Sequence, residues 1–363
     1  MEPRIHNFGA GPAALPLSVL QEVQRDLLSL PGVGMSVLEI SHRSKHFDAI
    51  QQETIANLRQ LLGLSAEQHV LFLPGGASLQ FTLLPMNLCP EGQKGDYIIT
   101  GSWGAKAAKD AEAQGKGRRA WDGKAGNYTR VPSREEISAD PAAAYLHYTS
   151  NETIHGVQFH AVPDSAGAPL VCDMSSDFLS RPVEAERYGL IYAGAQKNAG
   201  PAGVTIVIAH DALLSRSPAT LPPMLSYALQ AKENSIYNTP PVFAIYVVML
   251  VTRWLLSEVG GLAAIAAENE EKAGRLYDVI DGSGGFYRPH AEADCRSRMN
   301  VTWRLPSEEL ERKFLDQAKA TGFDGLKGHR SVGGIRASIY NAVPKASVEA
   351  LASFMEKFRA SEG

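Results

Sequence analysis

Two side chains near the middle of the sequence have the types and spacing for carbonyl chemistry, Lys197 and Asp173. Lys197 is the single charged residue between Leu190 and Ala209, in a turn dense in glycine and alanine. The apolar runs on either side predict buried strands, so the amine between them is partly removed from water. Because desolvation lowers the pKa of a lysine, its amine becomes a usable nucleophile toward a carbonyl.

Asp173 ends an earlier apolar run that begins at Pro169 and predicts a short strand. A lysine and an aspartate at neighbouring strand ends suit pyridoxal phosphate, because the amine reacts with its aldehyde and the carboxylate is a counter-ion for its pyridinium nitrogen. Taken singly, such residues are usually solvated turn residues. Their combination, with two serines after Asp173 and Gly-Pro-Ala-Gly after Lys197, favours the cofactor site.

The composition limits the class of protein. The chain has 363 residues, 44% of them hydrophobic, which is enough for two domains or for one large and one small domain. A net charge of −4 gives no reason to expect nucleic acid. Three scattered cysteines are too few for a disulfide framework or a zinc site and fit a reducing, cytoplasmic location.

The first residues of the chain and its most apolar run do not predict a membrane protein. The first residues lack a cationic segment followed by an apolar one, so no signal peptide is expected. The most apolar run, Val242–Leu256, is interrupted by Arg253 and is too short to span a bilayer. We therefore expect a buried helix and no membrane contact.

Strands predicted near residues 70, 97, 145, 171, 191 and 205, with helices before most of them, indicate a doubly wound α/β layer with a mostly parallel sheet. Ligands bind such sheets at the carboxyl ends of the strands. Three polar or aromatic segments follow predicted strands. The Gly75-Gly76 turn precedes a helix that can receive a phosphate, Trp103 can stack on a planar ring, and Thr149–Gly156 is a polar turn.

The pattern changes after residue 258. Gly260-Gly261 is a plausible hinge, and beyond Gly282 the alternation of helices and strands becomes that of an α+β unit. We predict a large domain over residues 13–258 and a small α+β domain formed by residues 1–12 and 259–363.

Two cationic clusters lie far apart in the sequence. His42 and Arg43 precede a predicted helix, and Lys327–Arg330 is followed by Arg336 on a predicted strand. Such clusters are most often solvated surface, but a helix N-terminus also favours an anion.

Motifs running along the whole chain resemble those of the fold-type-I pyridoxal phosphate enzymes of aminotransferase class V, and among them the phosphoserine aminotransferases. The matching segments are Asn7–Ala13, Glu39–Lys45, Gly75–Phe81, His147–Gly156, Asp173–Ser176, Tyr192–Gly203, Tyr237–Pro241 and Gly328–Ala342. They occur in the same order as in the family, with compatible spacing.

The resemblance implies pyridoxal 5'-phosphate as cofactor. It implies that Lys197 carries the cofactor as an aldimine and then moves the substrate Cα proton, and that Asp173 keeps the pyridinium nitrogen protonated. It also implies a homodimer with shared active sites. The remaining cofactor contacts it implies are Trp103 on the ring, Thr153 at the ring hydroxyl, Ala77, Ser78 and Gln196 at the phosphate, and Asn238 and Thr239 at the same phosphate from the second subunit.

The resemblance further implies transamination between 3-phosphohydroxypyruvate with L-glutamate and O-phospho-L-serine with 2-oxoglutarate, a step of serine biosynthesis. A second use in pyridoxine biosynthesis, on phosphohydroxythreonine, stays open. Arg336 would take the α-carboxylate in a bidentate fork, because guanidinium geometry matches a carboxylate. The second anion of either substrate would be held by His42, Arg43, His329 and Arg330.

One local departure and three alternatives remain. Some family members carry Gly-Arg-Gly where this chain has Ala77-Ser78-Leu79, so Arg43, His329 and Arg330 would bear more of the substrate phosphate. The alternatives are a cysteine desulfurase using Cys295, an alanine–glyoxylate transaminase, and a non-catalytic protein that binds phosphorylated metabolites.

Overall fold

Strands and helices alternate along most of the chain in the computed structural model, which describes residues 4–363. The strands are β1 His6–Asn7, β2 Gln68–Leu73, β3 Gly95–Ile99, β4 Gly117–Asp122, β5 Tyr145–Thr149, β6 Asn151–Glu152, β7 Val157–Gln158, β8 Leu170–Asp173, β9 Tyr188–Gly194, β10 Thr205–His210, β11 Arg288–Pro289, β12 Asn300–Arg304, β13 Phe323–Asp324 and β14 Ile335–Ser338. The helices are α1 Leu17–Asp26, α2 Lys45–Leu62, α3 Gly76–Leu88, α4 Ser102–Ala113, α5 Asp211–Leu214, α6 Tyr227–Lys232, α7 Val242–Trp254, α8 Leu262–Asp281, α9 Glu308–Ala320 and α10 Lys345–Glu362.

The central sheet has the strand order β2-β10-β9-β8-β5-β3-β4. Its pairs from β9 through β4 are parallel, which confirms the prediction of a mostly parallel α/β layer. Strand β10 differs, because it runs antiparallel to both β9 and β2. The short connection through Lys197 explains this direction, since neighbouring parallel strands need a crossover of a dozen residues or more.

Edge strand β4 was not among the predicted strands. Its sequence, with Arg118 and Arg119 in succession, has no apolar alternation, and its side chains are mostly half-exposed. Charged residues on an edge strand discourage pairing with another chain. The same charged residues remove the apolar alternation by which a strand is recognised in the sequence.

Side chains alternate between the two faces of the sheet. On β3, Ile98 packs in the apolar cluster that contains α2 and α7, whereas Tyr97 and Ile99 pack in the cluster that contains α3 and α4. This period of two places Asp173 of β8 on the side of Tyr97, since Val171 two residues earlier lies in that cluster.

Helix α7 is a core helix, as predicted. The stretch Val242–Val259 is long and apolar enough to cross a membrane by length and composition, with a mean hydropathy of 1.8. Here 56% of it is buried, and its apolar residues pack with those of α2 in one cluster. An apolar core helix passes the same composition test, so this stretch does not indicate a membrane span.

A second apolar core lies in the C-terminal part of the chain, around Trp303 of β12 and Phe314 of α9. Strands β11, β12 and β14 form an antiparallel sheet there. Phe8 belongs to this core, because β1 pairs with β13. Helix α8 contributes Ile265 to the first core and Leu276 to the second. The domain bounds given above stay a prediction.

Buried polar side chains join the two parts of the chain beside β14. Asn151 Nδ2 donates to Asn300 Oδ1 at 2.8 Å, and Ser297 Oγ donates to Asn151 Oδ1 at 2.6 Å. Asn300 Nδ2 in turn donates to Ser338 Oγ at the end of β14, at 2.9 Å. Because buried networks of this kind are stiff when every member is paired, they fix the position of β14 and of Arg336 upon it.

Candidate active site

Lys197 lies in the turn after β9, and its amine points inward. Its Nζ donates to Thr153 Oγ1 at 2.7 Å and lies 5.2 Å from the centre of the Trp103 ring. Burial lowers the pKa of Lys197, and the negative charges of Asp173 and Glu152 oppose that shift. The result is a partly desolvated amine held beside an aromatic face, as a nucleophile toward carbonyls requires.

Asp173 is the last residue of β8 and is 4% exposed. Its Oδ1 accepts hydrogen bonds from Ser175 N at 2.9 Å and from Ser175 Oγ at 2.6 Å. Ser175 Oγ itself accepts from Gly194 N at 3.0 Å, which ties the carboxylate to the end of β9. Burial raises the pKa of Asp173, and the positive charge of Lys197 opposes it. A cation placed beside this carboxylate would therefore be stabilised strongly.

Trp103 lies in the first turn of α4, whereas the sequence suggested the end of the preceding strand. Its ring is half-buried, with Lys197 Nζ at 5.2 Å and Lys106 Nζ at 4.2 Å from the ring centre. Its Nε1 is buried and has no hydrogen-bond partner among residues 4–363. Thr153, in the polar turn after β6, is the predicted ring-hydroxyl ligand and already contacts Lys197.

Sequence reasoning missed Glu152. This carboxylate is completely buried, and it accepts hydrogen bonds from Trp103 N at 3.1 Å and Gly104 N at 2.8 Å. Burial raises the pKa of Glu152 to about 7, and the negative charge of Asp173 adds to this rise. The two backbone hydrogen bonds and the positive charge of Lys197 act in the opposite direction. The glycines at 101 and 104 were the available signal, since they leave the room that this side chain occupies.

The first turn of α3 carries backbone N–H groups that have no partner within the helix. The helix begins at Gly76 after Gly75, whose φ of +90° suits glycine, and Ala77 and Ser78 occupy its first turn. Ser78 is exposed and Ala77 half-exposed. Free N–H groups and the positive end of the helix dipole favour an anion here. Gln196 lies next to Lys197 in the chain, and its side-chain amide packs against Gly194. A Cβ built on Gly194 would lie only 2.7 Å from Gln196 Oε1.

Arg336 reaches the same region from β14. Its Nη1 lies 3.5 Å from Thr153 O, and its buried Nε has no partner within the described residues 4–363. The Arg336 guanidinium, with this Nε donor unused among residues 4–363, can hold a carboxylate near Lys197.

His329 is half-buried near the same arginine. Burial lowers the pKa of His329, and the positive charges of Arg336, Lys106 and Arg330 lower it further.

Four predicted residues are not brought to Lys197 within this chain. Arg43 is exposed and His42 is half-exposed ahead of α2, and Asn238 and Thr239 are exposed in the extended segment before α7. Within residues 4–363, no hydrogen bond or ion pair joins any of them to Lys197, Asp173 or Trp103. Their assignment to the site stays a prediction.

The residues present fit pyridoxal phosphate. The inward lysine amine can react with its aldehyde, and the buried carboxylate can accept a hydrogen bond from its ring nitrogen. The half-buried indole can stack on its ring, and the helix N-terminus can receive its phosphate. Trp103 Nε1 is a buried donor without a partner among residues 4–363, and buried donors are as a rule hydrogen-bonded. This chemistry was predicted from Lys197 and Asp173 together with the residues that follow each of them.

Gly11 packs against the stem of Lys197. Its φ is +138°, and a Cβ built on it would lie 3.2 Å from Lys197 Cγ. We expect Gly11→Ala to cost about 1–3 kcal/mol of stability and to shift the lysine stem, with a fall in turnover of about tenfold. Thermal unfolding and steady-state turnover check this.

Gly63→Ala is the control for backbone strain, because Gly63 has φ +63° at the end of α2 and nothing within 4 Å of a built Cβ. It should lower the melting temperature and leave turnover unchanged. If both variants kept full turnover, contact between Gly11 and Lys197 would have no functional role.

Comparisons with known proteins agree with this geometry. Residues 5–351 match the model of the family described as aminotransferase class-V. The chain is 53% identical over 364 residues to phosphoserine aminotransferase of Desulfatibacillum aliphaticivorans and 52% identical over 363 residues to that of Niallia circulans, each alignment covering 100% of both chains. The solved phosphoserine aminotransferase of Bacillus circulans subsp. alkalophilus superposes with a TM-score of 0.97 at 52% identity, covering 99% of both chains. Another solved phosphoserine aminotransferase, described for radiation damage of its Schiff base, gives a TM-score of 0.97 at 49% identity over 99% of both chains.

Proposed function

We propose that this chain, which belongs to the aminotransferase class-V family, interconverts 3-phosphohydroxypyruvate and L-glutamate with O-phospho-L-serine and 2-oxoglutarate. It is a pyridoxal phosphate-dependent aminotransferase, and the reaction places it in serine biosynthesis. The observation that carries the proposal is the position of Lys197 Nζ, which is held by Thr153 and lies beside the Trp103 ring.

The cofactor supplies an electron sink for the pair of electrons left when the substrate Cα loses its proton. Lys197 Nζ would hold the cofactor at its aldehyde, and the same amine is placed to accept the substrate Cα proton. Asp173, with Oδ1 engaged by Ser175, stabilises a proton on the ring nitrogen. Trp103 would stack on the ring, and Ala77, Ser78 and Gln196 would hold the phosphate.

Charge selects the substrates. Phosphoserine and glutamate share an α-carboxylate and carry a second anion. Arg336, with its unused Nε, binds the α-carboxylate beside Lys197. His329 and Arg330 bind the second anion, together with His42 and Arg43. Because Ser78 and Leu79 stand where some relatives carry arginine and glycine, these cations bear more of the phosphate.

We infer that the functional unit is a homodimer in the cytoplasm. The segments that carry Arg43 and Asn238 also expose large apolar side chains, Leu28, Met35, Leu38 and Tyr237, and Leu28 is 86% exposed. Such exposure favours an interface. A second subunit seated there would bring His42, Arg43, Asn238 and Thr239 to its partner's Lys197, which explains why they lie away from Lys197 in their own chain.

The alternative of a cysteine desulfurase has no support in the geometry. That chemistry needs an accessible thiolate, but Cys295 is completely buried, and burial raises its pKa to about 11. Cys89 and Cys172 are also buried. A non-catalytic binding protein would have no need for both Lys197 and Asp173 at one site.

A steady-state assay of phosphoserine with 2-oxoglutarate, against unphosphorylated serine, tests the proposal. We expect serine to be at least about 100-fold poorer in kcat/KM, because hydrogen bonds to a charged group contribute about 1.5–3 kcal/mol each. Phosphohydroxythreonine in the same assay decides the use in pyridoxine biosynthesis. Equal rates with serine and phosphoserine, or faster release of sulfide from cysteine, would overturn the proposed substrate.

Arg43→Ala should reduce kcat/KM for phosphoserine more than for glutamate, by about tenfold more, because the phosphate carries more charge than the γ-carboxylate. Kinetics with each amino donor measure the difference. Lys45→Ala, which removes an exposed neighbouring cation, is the control and should affect neither donor. Equal losses for both donors would contradict the assignment of Arg43 to the phosphate.

The same variant tests the shared site. Mixing Arg43→Ala with Lys197→Ala subunits creates hybrid dimers in which one site has both side chains intact. Refolding the two variants together should therefore give more phosphoserine turnover than the two variants show when each is refolded by itself. No recovery, with dimers present, would place Arg43 at the site of its own chain.

A further inference from the structure

Glu152 connects the helix that carries Trp103 to the turn that carries Thr153. It ends β6, its side chain is completely buried, and its two carboxylate oxygens accept from Trp103 N at 3.1 Å and Gly104 N at 2.8 Å. These are N–H groups in the first turn of α4, which have no partner within the helix. The carboxylate therefore holds the start of α4 from a distant strand.

The sequence around α4 leaves space for this carboxylate. A Cβ on Gly101 would lie 2.4 Å from Glu152 Cδ, and a Cβ on Gly104 would lie 3.3 Å from Glu152 Oε1. A separation of 2.4 Å is shorter than any contact that a real Cβ atom makes, so a larger residue at position 101 would displace the carboxylate. The two glycines and Glu152 form one fitted unit although they are far apart in the chain.

Helix stability alone does not explain the arrangement. A serine, threonine or aspartate at the N-cap satisfies such N–H groups at little cost, whereas the N-cap here is Gly101, which offers no side-chain hydrogen bond. Burying a carboxylate is costly, as the rise of the Glu152 pKa to about 7 reflects. A site that accepts this cost gains a fixed position for the residue whose N–H is bound, and that residue is Trp103.

The neighbour of Glu152 acts on the same centre. Thr153 Oγ1 accepts from Lys197 Nζ at 2.7 Å, and the charge of Glu152 raises the pKa of that amine against its burial. Glu152 and Thr153 together thus set the indole on one side and the amine on the other, with Nζ 5.2 Å from the ring centre.

We propose that Glu152 is a positioning residue that orients Trp103 over the cofactor ring through its hydrogen bonds to the N-terminus of α4. This inference rests on the proposed function, because it takes Trp103 as the residue that stacks on pyridoxal phosphate. Glu152 touches neither the cofactor nor the substrate; it acts through the backbone of Trp103 and Gly104.

Glu152→Gln is the test, because it keeps the volume and replaces one accepting oxygen by an amide NH₂ that faces an N–H donor. We expect the visible circular dichroism of the bound cofactor to fall by half or more, the cofactor Kd to rise about tenfold, and kcat to fall with KM for phosphoserine nearly unchanged. The cofactor Kd is measured by titrating apoprotein, so it does not depend on turnover. Glu112→Gln is the matched control, a half-exposed carboxylate on the same helix that pairs with Arg119, and should change none of these.

Unchanged circular dichroism and cofactor Kd in a folded Glu152→Gln variant would overturn the proposal. So would a lowered melting temperature with normal dichroism of the folded protein, since that marks a purely structural cap. If Glu152→Gln does not fold, Glu152→Asp, which keeps the charge and shortens the reach, must show the same dichroic change in smaller measure. The wild-type spectrum separates the two inferences: wild-type protein that binds no cofactor refutes the function, whereas a normal wild type with an unaffected Glu152→Gln refutes only the role of Glu152.

Discussion

Lys197→Ala is expected to abolish transamination and the visible absorbance of the bound cofactor together. The substitution removes the amine that Thr153 holds beside the Trp103 ring, and with it both covalent attachment and the base for the Cα proton. General-base catalysis alone contributes about 10²–10⁴-fold, so the loss should exceed that range. Absorbance of the purified protein and turnover of phosphoserine measure it.

Lys106→Ala is the matched control for the absorbance, because Lys106 Nζ also lies close to the Trp103 ring, at 4.2 Å, but on an exposed side chain. It should keep the visible band. Thermal unfolding of both variants shows that the fold is retained. Turnover at the wild-type rate by Lys197→Ala would show that the amine is not the reactive group.

Arg336→Lys is expected to weaken phosphoserine and glutamate alike. Lysine keeps the charge but loses the planar fork that grips a carboxylate, and both substrates carry the same α-carboxylate. Loss of one charge-assisted hydrogen bond, about 1.5–3 kcal/mol, corresponds to about a 10- to 150-fold fall in kcat/KM. Kinetics with each amino donor in turn measure the two losses.

Arg275→Lys is the control for that substitution, because Arg275 already pairs with Glu349 and Glu356 on the surface. It should leave both donors unaffected. A loss confined to phosphoserine would assign Arg336 to the phosphate and leave the α-carboxylate without its proposed partner.

The larger elements of the fold were predictable because their patterns are strong. Helix α2 begins at Lys45, just after His42 and Arg43 as the sequence indicated, and the buried strands on either side of Lys197 are present. The direction of β10 was not predictable from apolar runs, which do not encode pairing; only the length of the turn carries that information. The polar edge strand β4 has no apolar pattern to detect.

Some residues of the candidate site were predictable from the sequence and others were not. Lys197 and Asp173 were singled out because their residue types are unusual in apolar, glycine-rich surroundings. Glu152 and Gly11 were missed because their roles depend on contacts with residues distant in sequence, the start of α4 and the stem of Lys197. No local pattern in the sequence marks such contacts. Glycines do occur there, but the need for a glycine is evident only once the side chain that packs against it is known.

The most direct test of the central claim is to reduce the holoenzyme with borohydride, which fixes the cofactor to the amine that holds it, and to map the modified peptide by mass spectrometry. We expect the modification at Lys197. The competing amine is Lys272, which is also buried and whose pKa is lowered by burial to about 8, but whose Nζ is engaged by Tyr340 O and Val343 O. Modification at Lys272, or at any lysine other than Lys197, would show that Lys197 does not hold the cofactor.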